Sequence, residues 1–333
     1  MKKSEFLIYI FALAYLCAVC FFIPSGYPDF YKGNLKPVQI NVCSGENSDE
    51  LVACLKRKDV IYFDGIMKKL LVLTGADRKV QPGTYKIYPG SSFNVINQIK
   101  RARPEKLVVT IIPGRTLPDI AEHNNISLKA LKKAIADNNN FPKEMHAILP
   151  QSVSARCMFL LPDTYFCAPY ENAGEKLVQI ASRHWLERVG RRLPAEMFNK
   201  ETLCRCGILA SVVEGEARKE TEKTVLAAIF RKRLALSMRL QSCATVIFCW
   251  KEFRGVKKKK LSYDDLFIDS RYNTYRYGGL PPAPINIPSK GSWFAACDNK
   301  ETEYLFFFAS ENGYHTFSKT YEEHIRKQKE AGK

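Results

Sequence analysis

Residues 207–230 of this 333-residue chain read G-I-L-A-S-V-V-E-G-E-A-R-K-E-T-E-K-T-V-L-A-A-I-F. The first half of the stretch predicts a helix, because its apolar residues fall at i, i+1, i+4 and i+5 and so form one face. These residues are Ile208, Leu209, Val212 and Val213. Glu214 lies off that apolar stripe, and Gly215 is expected to end or bend the helix directly after it.

The surface in front of Glu214 is predicted to be open. Ala210 and Ser211 precede the glutamate by four and three residues, which places both on its side of a helix, and both are small. The stretch therefore predicts one carboxylic acid at a helix end, backed by a core and facing a hollow. Taken alone, the same window also fits an ordinary solvated glutamate on an amphipathic helix.

The charge of the chain predicts a polyanionic neighbour. Its 51 basic and 34 acidic residues give a net charge of +17, which suits nucleic acid, anionic lipid or an acidic polymer such as a cell wall. The basic residues are spread along the chain apart from the run at 257–260. Because zinc-finger spacing and basic-aromatic recognition motifs are both missing, nucleic acid is not predicted as a partner.

The N-terminus reads as a membrane anchor. Residues 6–23 carry no charge and are almost all apolar, and they would span about 27 Å as a helix, close to the roughly 30 Å of a hydrocarbon core. Lys2 and Lys3 predict a cytoplasmic tail at residues 1–5 and an extracytoplasmic remainder, hence a single-pass protein of the bacterial inner membrane. The alternative is a cleaved signal peptide, but 23–26 reads I-P-S-G and lacks a cleavage site. Residues 24–36 follow as a linker rich in Pro and Gly.

The eleven cysteines do not predict a metal site or a cofactor. Two of them, Cys17 and Cys20, lie in the predicted span, and the remaining nine cannot all pair with one another. No C-x-x-C spacing and no histidine pair accompanies them. An oxidising compartment would permit disulfides, but the sequence leaves their pairing open.

Residues 37–150 predict small α+β modules in which a strand, a turn and a helix recur three times. The predicted strands are 38–42, 83–88 and 107–112, and the helices are 48–56, 93–101 and one that begins at Thr116. Thr116 and Asp119 have the spacing of a capping box. A further helix is predicted at 128–136, and the loop at 137–142 is a plausible domain edge.

Five blocks of sequence, in a fixed order, closely resemble the YceG-like endolytic murein transglycosylases. The blocks are F-L-L-P-D-T-Y (159–165), L-A-S-V-V-E-G-E (209–216), R-K-R-L-A-L-S-M-R-L-Q-S-C-A-T-V-I-F (231–248), Y-N-T-Y-R-Y-G-G-L-P-P-A-P-I (272–285) and the segment 304–317. The resemblance implies an α+β protein with LysM-like modules at 37–150 and a mixed α/β catalytic domain at 151–333. Such modules either bind N-acetylated glycans or only pack on each other; both interpretations stay open.

The resemblance also implies the chemistry. A lytic transglycosylase cuts the MurNAc–GlcNAc β-1,4 bond of nascent strands with a single acid and leaves 1,6-anhydro-MurNAc ends. By motif match that acid is Glu214, which protonates the glycosidic oxygen and then accepts the proton of the sugar's C6 hydroxyl. An acid in this role is expected to have a raised pKa, and the neighbouring Val212 and Val213 predict a partly apolar setting for it.

Five more residues are implied as substrate contacts: Gln241, Asn273, Tyr275, His315 and Glu216. The Gln241 amide is expected to bind an acetamido or hydroxyl group, Asn273 to position the sugar and Tyr275 to stack on it. His315 is expected to line the cleft, although a packed histidine fits the sequence equally well. Glu216 points away from Glu214 on a regular helix, which also fits a structural role.

The sequence departs from the family pattern at two places. Cys243-Ala244 stands where the family usually has Asp-Pro, and Ala283 stands where it has Gly. Loss of the Asp removes a possible partner of Glu214, which motivates an alternative: a non-catalytic, membrane-anchored scaffold that binds peptidoglycan. In either case the predicted partners are glycan strands, the membrane and, beside them, peptidoglycan synthases.

Overall fold

The computed structural model describes residues 11, 36–42, 46–61, 63–81, 83–105, 107–167, 172–310 and 313–332. Within these ranges the chain is α+β and mostly helical, with three two-stranded sheets. The strands are β1 (Val38–Val42), β2 (Gly83–Ile87), β3 (Leu107–Thr110), β4 (Thr164–Cys167), β5 (Phe306–Ala309) and β6 (His315–Ser318). The helices are α1 (Ser48–Arg57), α2 (Asp64–Leu73), α3 (Ser92–Arg101), α4 (Leu117–His123), α5 (Leu128–Ala136), α6 (Val153–Arg156), α7 (Ala173–Arg188), α8 (Lys200–Glu216), α9 (Lys223–Ala235), α10 (Cys243–Arg254), α11 (Lys290–Cys297) and α12 (Tyr321–Glu330).

The predicted membrane span at 6–23 lies outside the described residues, apart from Phe11. None of the helices that the structure describes combines the length and the apolar character needed to cross a bilayer.

The chain divides into two compact units. The first comprises the described residues up to Val109 together with the short segment 165–173, and the second comprises 110–164 and 174–333. Residues 110–150, which the sequence analysis grouped with the modules, lie in the second unit.

The first unit is built on a β-α-α-β arrangement. Strands β1 and β2 pair antiparallel, with Val38 opposite Ile87 and Val42 opposite Gly83. Helices α1 and α2 come between them in the sequence and, with α3, enclose one apolar core. The predicted strands and helices here are confirmed to within about a residue, but α2 was missed. The predicted order of strand and helix recurs here, with α2 inserted after α1, and β1 and β2 pair in one sheet.

In the second unit, the predicted capping box at the start of α4 is confirmed. The Thr116 amide donates to Asp119 Oδ2 at 3.0 Å, as the motif requires. Helix α5 has the predicted bounds.

Helix α8 is the central element of the second unit. It packs against α9, α10 and α11, so it is covered on several sides. The Asn199 side chain caps its start by accepting from the Thr202 amide at 3.0 Å, and the helix runs through Gly215 to Glu216. The helix thus ends one residue after Gly215, close to its predicted end. The expectation of an open surface at Ala210 and Ser211 is wrong, since neighbouring elements bury both completely.

An aromatic cluster packs below α8. Trp185 of α7 and Trp293 of α11 meet edge to face with ring centroids 5.0 Å apart, and Phe159 lies 4.7 Å from Trp185. Gly207 of α8 faces this cluster, because a Cβ added there would lie 2.8 Å from the Trp293 ring. The glycine therefore lets α8 and α11 approach closely enough to share one site.

We expect Gly207→Ala to lower the free energy of unfolding by about 1–3 kcal/mol, because the added methyl overpacks the core. The loss is expected even though alanine favours helices over glycine by about 1 kcal/mol. Calorimetric unfolding measures the change. Gly278→Ala is the control, since a Cβ at Gly278 meets nothing within 4 Å. Equal stability of the two variants would contradict this account of the packing.

Candidate active site

The Glu214 carboxylate lies at the N-terminus of α11. Its Oε2 accepts hydrogen bonds from the Ser289 amide at 3.0 Å and from Ser292 Oγ at 2.6 Å. Ser289 is also the N-cap of α11. The carboxylate therefore lies at backbone N–H groups that have no partner within the helix, and at the positive pole of the helix dipole.

Lys223 is the third donor to the same oxygen. Its Nζ lies 3.2 Å from Glu214 Oε2, and the two side chains are only 8% and 11% exposed. The ammonium also donates to Ser289 Oγ at 2.8 Å and pairs with the exposed Glu220 at 2.6 Å. All three donors to Glu214 thus converge on one oxygen of its carboxylate.

The pKa of Glu214 is lowered from its ordinary value, so the expected raised pKa is wrong for this structure. Burial is the largest single influence and raises the pKa, but the hydrogen bonds from Ser289 and Ser292 and the charge of Lys223 together outweigh it. Val212 and Val213 are wholly buried in the core. The raised pKa was predicted from these two apolar neighbours, and the three hydrogen-bond donors were missed. The S-x-x-S spacing of Ser289 and Ser292 was an available signal of a helix start.

A cavity of about 300 Å³ is lined by the residues that flank Glu214, although the Glu214 side chain itself is not part of its wall. Gly114 and Gly215 line it, and a Cβ on Gly114 would lie 3.8 Å from Glu214 Cγ. Gly114 has a φ of +73°, a conformation that favours glycine. Its amide donates to Ile287 O at 2.9 Å, and Ile287 donates back to the Arg115 carbonyl at 3.0 Å. The 285–287 segment is in turn held to α8, since Ile285 N donates to Ser211 Oγ at 3.1 Å.

Glu216 supports the start of α10. Its Oε1 accepts from Ser242 Oγ at 2.5 Å and from the Ala244 amide at 3.0 Å. Gly215 permits this approach, because a Cβ there would lie 2.7 Å from the Ala244 Cβ. These contacts give Glu216 the structural role that the sequence had left open, and its predicted contact with substrate remains a prediction.

Gln241, Asn273 and Tyr275 lie around the start of α10. Gln241 is exposed, with a φ of +49°, and its backbone N–H donates to the Thr274 carbonyl at 3.1 Å. Asn273 is wholly buried, and its Nδ2 donates to two carbonyls, those of Leu266 and Ile268. Its side chain therefore holds this loop together, and the predicted sugar contact would require the loop to open.

The Tyr275 hydroxyl lies 3.2 Å from the Cys243 sulfur, one of the positions that depart from the family pattern. Burial, together with the nearby Cys243 and Glu216, raises the pKa of Tyr275 well above its ordinary range. The predicted stacking of Tyr275 on a sugar remains a prediction.

His315 packs against Glu222 and does not contact Glu214. Its Nδ1 lies 2.9 Å from Glu222 Oε2, both side chains are buried, and its backbone amide donates to the other oxygen of the same carboxylate. Glu222 directly precedes Lys223, so this pair anchors the chain next to the ammonium. Of the two interpretations of His315, the contacts favour the packed histidine.

No group of three or more potential metal ligands occurs among the residues that the structure describes. Seven cysteines of this part are free thiols: Cys54, Cys157, Cys204, Cys206, Cys243, Cys249 and Cys297.

Sequence comparison decides the family. The model of the YceG-like family matches residues 40–330. The chain belongs to the YceG-like family. It is 29% identical over 308 residues to the endolytic murein transglycosylase of Bacillus subtilis strain 168. This match covers 88% of this chain and 84% of the relative. A protein of the same name from Streptococcus pneumoniae serotype 2 is 29% identical over 102 residues, or 30% of this chain and 18% of the relative.

Structure comparison shows the same fold in another member of the family. A YceG-like protein of Listeria monocytogenes, whose crystal structure is known, superimposes with a TM-score of 0.54 at 23% identity. The match covers 88% of this chain and 99% of that one.

We expect Glu216→Ala to lower the free energy of unfolding by about 1–2 kcal/mol, because the start of α10 loses its cap. Glu216→Gln keeps an acceptor oxygen in place and should cost less. Chemical denaturation measures both variants. If Glu216→Ala is as stable as the wild type, the capping role is contradicted.

The Lys223 ammonium should hold the Glu214 pKa down. Removing it in Lys223→Gln should raise that pKa, measured by NMR titration of ¹³C-labelled glutamate carboxyls and assigned with Glu214→Gln. The same change at Lys219, which is exposed, serves as the control. An unchanged Glu214 pKa in Lys223→Gln would contradict the assigned cause.

The lowered pKa also fixes the sign of a pH effect. Because folding favours the ionised carboxylate, its contribution to stability is complete above the ordinary value of 4.5 and is lost as the pH falls through the lowered pKa. The stability difference between wild type and Glu214→Gln should therefore shrink on acidification below about pH 4.5. Denaturation curves measured between pH 3 and 7 test this, and a difference that grows on acidification would contradict it.

Proposed function

We propose that this chain is a lytic transglycosylase that cleaves murein strands internally. The observation that carries the proposal is the Glu214 carboxylate, only 11% exposed and flanked by the cavity-lining residues Gly114 and Gly215, in a chain of the YceG-like family. The curated relative from Bacillus subtilis, similar over most of both chains, is named for the same activity. The enzyme is thus a lyase that acts on peptidoglycan.

Glu214 performs both proton transfers in the proposed reaction. It protonates the glycosidic oxygen between MurNAc and GlcNAc, and the resulting carboxylate takes the proton of the C6 hydroxyl of the same MurNAc. That hydroxyl closes the 1,6-anhydro ring, so no water is consumed. Because Ser289, Ser292 and Lys223 all hold Oε2, the other oxygen, Oε1, is the one assigned to the sugar.

Glu214 has a low pKa in the free protein, whereas a general acid must carry a proton. Binding of the substrate would remove this conflict by raising the pKa. Burial is already the largest influence on this carboxyl, and a glycan in the cavity would exclude further water and raise the pKa. Lys223 has two other partners, Glu220 and Ser289, to which its ammonium can remain bonded when Glu214 is protonated.

The proposal extends to the parts of the chain outside this site. Residues 6–23 would anchor the protein in the inner membrane, and the β-α-α-β unit would act as a LysM-like module that holds glycan near the enzyme. Composition supports the anchor, and the order of strands and helices supports the module. An enzyme so placed would act extracytoplasmically on nascent strands, next to the synthases that make them.

Glu214→Gln should reduce cleavage of purified glycan strands by about 10²–10⁴-fold, because the amide neither donates nor accepts the proton. The measurement is mass spectrometry of the products, with 1,6-anhydro-MurNAc ends expected from the wild type. Glu201→Gln, an exposed change in the first turn of the same helix, is the matched control and should cleave normally.

The same assay separates the alternatives. A scaffold would show no cleavage that depends on Glu214, whereas a hydrolase would leave reducing ends and no anhydro product. A hydrolase also needs a second carboxylate. Glu220, which shares Lys223 with Glu214, is the neighbour to test, and Glu220→Gln should still give anhydro ends.

A further inference from the structure

The cavity next to Glu214 has an excess of positive charge. Its cationic lining residues are Arg115, Lys251, Lys257 and Lys258, and its one acidic lining residue is Asp119. Lys251 is bonded to Asp119, and Lys258 pairs with Asp265 at 2.8 Å. Arg115 and Lys257, both exposed, form no ion pair with any residue in the described ranges. A second cavity of about 300 Å³ shares both residues, so the two cations stand where the cavities adjoin.

A buried acceptor lines the same cavity. Asn286 is 7% exposed, and its Nδ2 donates to the Ser211 carbonyl at 2.8 Å, which fixes the orientation of the amide. Its Oδ1 is buried and has no hydrogen-bond partner among the residues described here. A buried acceptor without a partner is costly, so it points to a donor supplied by a ligand.

The remaining walls are apolar. Ile247 and Phe248 of α10 and Ile285 also line the cavity. A ligand that fills it would present an anion to Arg115 and Lys257, an N–H or O–H group to Asn286, and small apolar groups to these walls.

We propose that this cavity binds the peptide stem carried by the muramyl residue, with a stem carboxylate at Arg115 and Lys257 and a stem amide N–H at Asn286. The inference rests on the proposed function. The hydroxyl and acetamido groups of the glycan are uncharged, whereas the stem offers carboxylates, amides and alanine methyls. Guanidinium and ammonium groups bind carboxylates through charge-assisted hydrogen bonds. The enzyme would therefore select strands whose stems carry free carboxylates.

The position of the two cations supports this assignment. The Arg115 loop is fixed by its backbone bonds to Ile287, and the preceding residue, Gly114, lies against Glu214. A stem bound at these two cations would place its muramyl sugar beside Glu214, the carboxylate that cuts the glycosidic bond of that sugar. Stem recognition and cleavage would thus involve the same sugar residue.

The test measures binding by calorimetry with the full chain carrying Glu214→Gln, so that the ligand is not cut. One ligand is a tetrasaccharide with free stem carboxylates, and the other is the same compound with those carboxylates converted to amides. On this background we compare Arg115→Gln/Lys257→Gln with Lys259→Gln/Lys260→Gln. The second pair removes the same charge from exposed lysines that do not line the cavity.

With both cations present, the free-carboxylate ligand should bind about tenfold more tightly than the amidated one. Arg115→Gln/Lys257→Gln should abolish this difference and leave the amidated ligand unaffected, while the control pair keeps it. Equal binding of both ligands, or equal losses in the two variants, would overturn the proposal. So would displacement of both ligands alike by poly(glycerol phosphate), which would assign the cations to phosphate polymers.

Failure of the stem site can be distinguished from failure of the proposed function. If the wild type cuts strands to anhydro ends but the variants do not discriminate the ligands, the stem site is wrong and the enzyme assignment holds. If discrimination is found but the wild type cuts nothing, the stem site holds and the enzyme assignment is wrong.

Discussion

The Glu214 side chain is only 11% exposed, and its carboxylate is ionised. A charge so shielded from water must be balanced by nearby hydrogen-bond donors and opposite charges. The protein meets this requirement with the N-terminus of α11 and with the ammonium of Lys223. Much of the surrounding packing serves to hold these donors in place. Gly207 lets α11 approach α8, and the Glu222–His315 pair fixes the chain next to Lys223.

A glycine also permits the close approach of α8 and α10. Gly215 brings the backbone of α8 against Ala244, and Glu216 then caps α10. The two acids separated by one residue thus have opposite environments. Glu214 lies beside a cavity, whereas Glu216 is committed to the start of a neighbouring helix. This division follows from the regular helix, which continues through Gly215 and turns the two side chains apart.

Local patterns predicted most of the elements and the place of Glu214 near the end of a helix. The capping box at Thr116, the strands β1 and β2, and the helical spacing before Glu214 all depend on residues close in sequence. The missed features depend on distant ones. Ser289 lies 75 residues after Glu214, so its donation to the carboxylate, and the resulting low pKa, have no signal within any local window. Burial of Ala210 and Ser211 likewise arises from elements packed on α8, which the sequence of that helix does not reveal.

The separation of the contributing residues has a consequence for biosynthesis. The carboxylate at 214 receives its donors from 223, 289 and 292, and the buried partner of Glu222 comes from 315. Contacts this distant in sequence form only after the intervening chain has been made. The ribosome must therefore release nearly the whole polypeptide before the carboxylate has its full set of neighbours. An incomplete chain that already contains Glu214 would lack the donors that hold its carboxylate.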